Sequence, residues 1–453
     1  MRKLSRITVL LIFLVLLNSC GTKTSNISIV EQPKDSTIQT KDEFEKVRHQ
    51  IIVAFADTLS NDTKVSIRNE MATDYPFETS FESCSCGNTN VEKWTFMPSV
   101  DVESAVSSLN KKKKGGVEGE NQFILRLPKA QNYKPPQAYE GYSIDSLTLE
   151  PNSQDLRVNI AVIDTGIDIY MNKGAEPFLY NTQDVFDCEN EISGWNFVSG
   201  NWNTAADHQH GTYVTKTITY ALDNLDVEYS ILPIKAFDEH GVSTYWNLIC
   251  AMGYVKELQD INEDIHLVNA SFGYNFAGYS KAARDSLIIR QNILKGIIDD
   301  LEQSTIVVSS AGNEDLDNDD PRFAHFPSGF PSGNLLGVGG YIGDETNMQK
   351  DGNYGQISID VAARYKQNFV FELTDVLGQQ ENLEVVAKGT SFSTAFTTAK
   401  LAKIIYDRLL EPPSDQQVTP AAILQEFYVQ NYISQHTKLD TFIKNSNYIK
   451  DPD

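Results

Sequence analysis

The chain has 453 residues, 41% of them hydrophobic, and a formal net charge of -23. That length exceeds one ordinary domain and suffices to bury a large core, so two or three folded units are expected. An acidic balance of this size excludes binding driven by phosphate charge, whether of nucleic acid or of an anionic lipid surface, and serves solubility.

The first residues carry an address. Arg2, Lys3 and Arg6 precede the apolar stretch Val9 to Leu17, which is too short to span a bilayer and reads as a secretory signal. It ends in Leu17-Asn18-Ser19-Cys20-Gly21, which resembles a bacterial lipobox, where the cysteine becomes the acylated first residue after cleavage. Residues 1–19 are therefore expected to be a signal peptide, and residues 20–47 a lipidated Cys20 with a tether rich in Thr, Ser, Lys and Gln that holds no structure of its own. An ordinary signal peptide with an incidental cysteine is the alternative. Export to the cell envelope, facing the periplasm or the cell surface, follows, and no later segment is apolar enough to cross a membrane. Beyond Cys20 remain Cys84, Cys86, Cys188 and Cys250, in a compartment that permits disulfides. Their pairing is not readable. Cys84-Ser85-Cys86 is expected to be a disulfide or two free thiols in a hairpin, since no second pair or histidine cluster nearby would complete a zinc site.

Residues 48–128 read as a small α+β unit. The pattern runs from the strand Ile51 to Phe55, through a helix around Lys64 to Met71 and strands on either side of Cys84 to Asn90, the second being Val91 to Phe96. A helix follows at Val102 to Leu109, capped by Asp101 and stopped by Lys111 to Lys114 and Gly115-Gly116, before a last strand at Gln122 to Leu127. This β-α-β-β-α-β order is that of a ferredoxin-like domain. Residues 129–153, with several prolines, read as an exposed connection.

From residue 154 to 453 apolar runs alternate with helical stretches. Val158 to Ile163, Ser230 to Ala236, His266 to Ala270, Thr305 to Ser309 and Leu336 to Val338 read as buried parallel strands. Gly211 to Leu222, Tyr245 to Leu258, Asp285 to Leu301 and Ala421 to Tyr432 read as helices. An α/β fold follows, a mostly parallel sheet between two layers of helices, with no room for an appended binding domain.

Chemistry concentrates in a few segments. A buried strand delivers the carboxylate of Asp164 at its C-terminal end, in Asp164-Thr165-Gly166, where α/β sheets place their sites. His210-Gly211-Thr212 opens a helical stretch, so the His210 imidazole lies at a helix N-terminus; with His208 it could equally be a metal ligand. Gly389-Thr390-Ser391 places Ser391 at the start of another helix, where a serine is often a cap. Gly312-Asn313 follows a strand, where Asn313 could be a turn residue.

Taken together in the order Asp, His, Ser, these segments resemble the subtilisin family, over about Gln154 to the C-terminus. The resemblance implies a serine endopeptidase in which Ser391 attacks, His210 is the base, Asp164 orients it and Asn313 donates to the oxyanion. Val268 to Gly273 resembles the family's substrate strand, with Ser271, Phe272 and Gly273 pairing an extended polypeptide by β-augmentation. Residues 48–128 resemble the family's inhibitory propeptides, so the chain's own propeptide is an expected partner and self-cleavage is expected in the connection. Three positions depart from the family pattern: Gln209 for a glycine, Tyr213 for a second histidine, and Ala395 for a proline. Asp315, Asp317 and Asp319 read as a solvated acidic loop, with calcium, bound by many relatives, as the alternative. No cofactor is required by the chemistry. The competing functions are a maturation protease for one exported peptide and an inactive peptide-binding lipoprotein.

Overall fold

The computed structural model describes residues 27–31 and 45–450, apart from 80, 88–89, 112–115, 128–148, 150–155, 170–177, 184, 187, 262–263, 278–279, 282–283, 285–291, 375–379, 412–418 and 430–432. The signal, Cys20 and nearly all of the connection lie outside the described residues. Part of the tether lies within them and corrects the expectation: Ile27–Glu31 forms strand β1.

The first unit has the expected order. Strand β2 (Glu45–Phe55) is followed by helix α1 (Asn61–Asp74), β3 (Glu82–Ser83), β4 (Val91–Thr95), α2 (Val102–Lys111) and β5 (Val117–Arg126). Ser60 caps α1 by accepting from the Thr63 amide, and the Asp101 carboxylate caps α2 by accepting from the Glu103 amide at 3.2 Å. The i, i+3, i+4, i+7 spacing of Val102, Ala105, Val106 and Leu109 turns one apolar face of α2 onto Ile51, Val53, Trp94 and Phe96 of the sheet.

The second unit is a three-layer α/β domain. Its sheet runs in the order β18 (Ile433–Gln435), β19 (Asn447–Ile449), β15 (Val361–Arg364), β13 (Leu335–Ile342), β11 (Ile306–Ser310), β9 (Leu267–Ala270), β6 (Val158–Asp164), β7 (Tyr229–Lys235), while the short strands β10 (Tyr274–Asn275) and β12 (His325–Phe326) pair antiparallel apart from it. All neighbours in this row are parallel except β18 and β19; β14 (Gln349–Asp351) adds antiparallel to β13. Side chains alternate between the faces: Ile160 and Val162 point into one core, Ala161 and Ile163 into the other. Helices α3 (Gln209–Asn224) and α6 (Thr390–Leu410) cover the first face, with α7 (Pro420–Val429) beside them. Helices α4 (Tyr245–Asp260) and α5 (Asn292–Asp300) cover the second. No helix among the described residues is long and apolar enough to cross a membrane.

Three strands of the second unit extend beyond this plan. A hairpin, β16 (Lys366–Thr374) and β17 (Gln380–Lys388), leads into α6, and β1 pairs parallel with β17, Ile29 opposite Val386. The short strand β8 (Val242–Thr244) leaves the second unit and completes the first unit's sheet, in the order β3, β4, β2, β5, β8. One antiparallel sheet therefore crosses between the units, with Ile124, Leu125 and Arg126 opposite Thr244, Ser243 and Val242.

The cysteines correct a further expectation. Cys84 and Cys86 bond neither to each other nor remain as thiols; Cys84 pairs with Cys250 in α4 and Cys86 with Cys188, each bridging the two units. Cys84 and Cys86 have separate partners in the second unit, so a link between the two would cost both bridges.

Candidate active site

Asp164 ends β6 at the C-terminal edge of the parallel strands, almost wholly buried. Its Oδ1 accepts from the Thr165 amide at 2.7 Å, and both carboxylate oxygens stand beside His210 Nδ1, at 2.8 and 2.9 Å. The contact requires helix α3 to begin against the strand end. Gly211 makes that approach feasible, because a Cβ there would lie 2.3 Å from the Gly166 carbonyl oxygen and 3.1 Å from Asp164. The Thr165 hydroxyl ties the two elements, donating to the His208 carbonyl and accepting from the Gly211 amide, each at 2.9 Å. The Asp-Thr-Gly and His-Gly-Thr segments are thus two halves of one joint.

His208 is not brought into a metal site. It is the N-cap of α3, its Nδ1 accepting from the His210 amide at 3.2 Å. Burial, helped by the neighbouring His210, pushes its imidazole down to about 4, so it is neutral at ordinary pH.

Ser391 lies in the first turn of α6, with Gly389 as N-cap. The helix starts beside the His210 ring, whose centroid is 5.9 Å from that of Phe392. The Ser391 hydroxyl donates to the Ser271 carbonyl at 3.0 Å, and the Ser271 hydroxyl donates back to the Ser391 carbonyl at 2.9 Å. The single Ser271 proton is shared with Asn269 Oδ1, 2.7 Å away, and Asn269 Nδ2 donates to Thr398 at 3.0 Å, so the segment after β9 is pinned to α6. Asn313 follows β11, and its Oδ1 accepts from the Thr390 amide at 2.9 Å and the Thr390 hydroxyl at 3.1 Å. The amide orientation is thereby fixed, with Nδ2 as its donor end.

Sequence reading placed Asp164, His210, Ser391 and Asn313 in one site, and the structure gathers their strand and helix ends there. It missed the parts that hold them: the Thr390 clamp on Asn313, the Ser271 double link, and His325. His325 is fully buried with its Nδ1 3.0 Å from Ser328 Oγ, wedged so closely against Gly273 that a Cβ there would fall 2.0 Å from its ring. Burial holds its imidazole down at about 3. Gly273 is therefore required by a neighbour that comes from a distant segment and leaves no local sequence signal. Phe272 is buried, with its carbonyl accepting from Ser310 at 3.2 Å.

The departures from the family pattern are packing changes. Tyr213 is buried against Phe369 and Phe371 of β16, at 5.8 and 5.6 Å between rings, and Gln209 and Ala395 are buried too. The calcium candidates do not converge. Asp315 ion-pairs with Lys350, Asp317 accepts from the Asp319 amide at 3.1 Å, and Asp319 accepts from the amides of Ile357 and Ser358, both at 2.9 Å. Among the described residues the one close group of potential metal ligands is Cys86, Cys188 and Glu191, and its sulfurs form a disulfide.

A family model described as the subtilase family, peptidase S8, matches residues 156–438. The chain belongs to the subtilase family. The subtilase is 28% identical over 138 residues to subtilisin-like protease 1 of Plasmodium falciparum, a match covering 27% of this chain and 19% of that protein. Solved structures similar to it include an epidermin leader peptide processing serine protease from Staphylococcus aureus, 15% identical, covering 89% of this chain and 97% of that one at a TM-score of 0.48. A cold adapted subtilisin-like serine proteinase is 20% identical, covering 66% and 91% at a TM-score of 0.41. The membership makes the mostly parallel α/β domain a subtilase domain, and the chain spans about a fifth of the length of the curated relatives it matches.

Proposed function

We propose that this subtilase is a serine endopeptidase acting through Asp164, His210 and Ser391. The observation that carries the reading is the buried Asp164 and His210 pair, 2.8 Å apart, set beside the start of the helix bearing Ser391. In the reaction the His210 imidazole takes the Ser391 proton as the hydroxyl oxygen attacks the scissile carbonyl, and Asp164 holds Nδ1 and offsets the imidazolium charge. The oxyanion receives the Asn313 side-chain amide and the Ser391 N–H, one of the helix amides lacking an intrahelical partner. His210 then returns the proton to the leaving amine, and water releases the acyl group by the same path. An extended substrate pairs with the backbone after β9, which favours reading backbone over sequence.

The first unit acts as the propeptide. Glu120 and Gln122 of β5 support this: Glu120 accepts from the Ile293 amide at 2.9 Å, at the start of α5, and Gln122 from the Trp246 amide at 3.1 Å, at the start of α4. At the end of β5 the Leu127 amide donates to the Gly241 carbonyl at 2.7 Å, and Gly241 lies against His208, two residues before His210. Self-cleavage in the connection follows. An exported envelope lipoprotein anchored through Cys20 completes the reading, and two disulfides suit an oxidising compartment.

Masses of the full chain and of its Ser391→Ala form, measured after thiol reduction, test the proposal. A cut between Pro128 and Gln154 in the wild type alone is expected. If both chains stay whole, or both are cut alike, self-processing by Ser391 is refuted.

A further inference from the structure

Cys84 and Cys86 precede the connection, whereas Cys188 and Cys250 follow it, so both disulfides span residues 128–148. Between them the Trp195 indole donates to Ser85 Oγ at 2.9 Å, so three consecutive residues of the first unit are fixed to the second. The Cα atoms of the bridged pairs are 5.5 and 5.7 Å apart, and Cys86 and Cys250 are buried. The same interface carries the shared sheet through β5 and β8 and the Glu120 and Gln122 caps.

We propose that the first unit is a permanent, covalently held subunit, and that cutting the connection yields a two-chain enzyme whose halves separate only after thiol reduction. This rests on the processing reading above for when the cut arises, and on the disulfides alone for what the cut leaves. A propeptide held by contacts alone is lost once it dissociates or is degraded. Here the cut leaves β5 paired with β8 and both bridges closed, so the first unit stays attached. Whatever holds the N-terminal half at a membrane then holds the catalytic half as well.

Opening each bridge takes a dithiol reductant. One thiolate attacks a bridge sulfur and displaces the other as a thiolate, which takes up a proton. The second thiolate then expels the first cysteine, which is likewise protonated, and the reductant leaves as its own disulfide, so each bridge consumes two electrons and two protons.

The test uses the full chain with Ser391→Ala and a site-specific protease sequence placed within residues 129–148, cut by that protease and then denatured. Without reductant we expect one species with the mass of the whole chain plus one water, and no uptake of a thiol-alkylating label by Cys84, Cys86, Cys188 or Cys250. With dithiol, two pieces and four labelled cysteines are expected. Two pieces without reductant would overturn the proposal. A Cys84→Ala, Cys86→Ala chain should fall into two pieces unaided; if it does not fold, the reductant arm still decides. A wild type that never cuts itself, beside a linked engineered chain, would refute the processing reading and leave the covalent link standing.

Discussion

The Asn313 side chain takes its orientation from Thr390, whose amide and hydroxyl both hold its Oδ1. A donor fixed in this way needs no reorganisation when the oxyanion forms, which is why such groups weigh more in the transition state than in water. Asn313→Ala is expected to lower kcat by about 100-fold to 1,000-fold with little change in KM, a size taken from the loss of this donor in subtilisin itself. Peptide hydrolysis by the processed protein checks it, and an unchanged kcat would remove Asn313 from the oxyanion site. At this scale the sequence was largely legible, because Asp-Thr-Gly, His-Gly-Thr and Gly-Thr-Ser join side-chain chemistry to the small residues that let strand and helix ends meet. The link from Ser271 to Ser391 and the packing of His325 against Gly273 were not, since each is a contact between segments far apart in the chain.

Strand β5 couples the units through a buried carboxylate. Glu120 lies among the α5 amides and the Tyr245 hydroxyl, which donates to it at 2.8 Å, yet burial dominates and raises its pKa from 4.5 to about 8. A group raised in the folded state contributes stability that is complete below the unfolded value of 4.5 and is lost as pH climbs through about 8. Glu191, raised to about 7 by burial, has the same sign. His208 and His325, lowered to about 4 and about 3, have the opposite sign and weaken the fold as pH falls below 6.5. Thermal unfolding of Ser391→Ala chains with and without Glu120→Gln, compared across pH 4.5 to 8, cancels the shared groups. The parent is expected to lose stability relative to the Gln form as pH rises through that window; parallel curves would show that Glu120 does not titrate there. The parallel strands of the core were readable as apolar runs, and α2 as a capped amphipathic helix. β1 was not, because a parallel pairing with β17 rests on backbone hydrogen bonds between distant segments and leaves no local pattern. The hairpin of β16 and β17 escaped for a related reason, its Phe369 and Phe371 finding their partner in the unusual Tyr213.

At the scale of the whole molecule, the described residues of the first and second units form a single covalent and hydrogen-bonded body. The order of elements in the first unit was legible from periodicity, but its joining to the second was not: Cys84-Ser85-Cys86 looks local in the sequence, and only the fold reveals that its partners are Cys188 and Cys250. The central claim, that Ser391 is a nucleophile activated by the His210 and Asp164 pair, is tested most directly by a fluorophosphonate probe on folded protein whose connection has been cut. The account predicts one adduct, mapped to Ser391, absent in Ser391→Ala and formed at least about 100-fold more slowly in His210→Ala, the lower end of what a positioned base contributes. A folded, cut protein that takes no probe on Ser391, or labels equally well without His210, would contradict it.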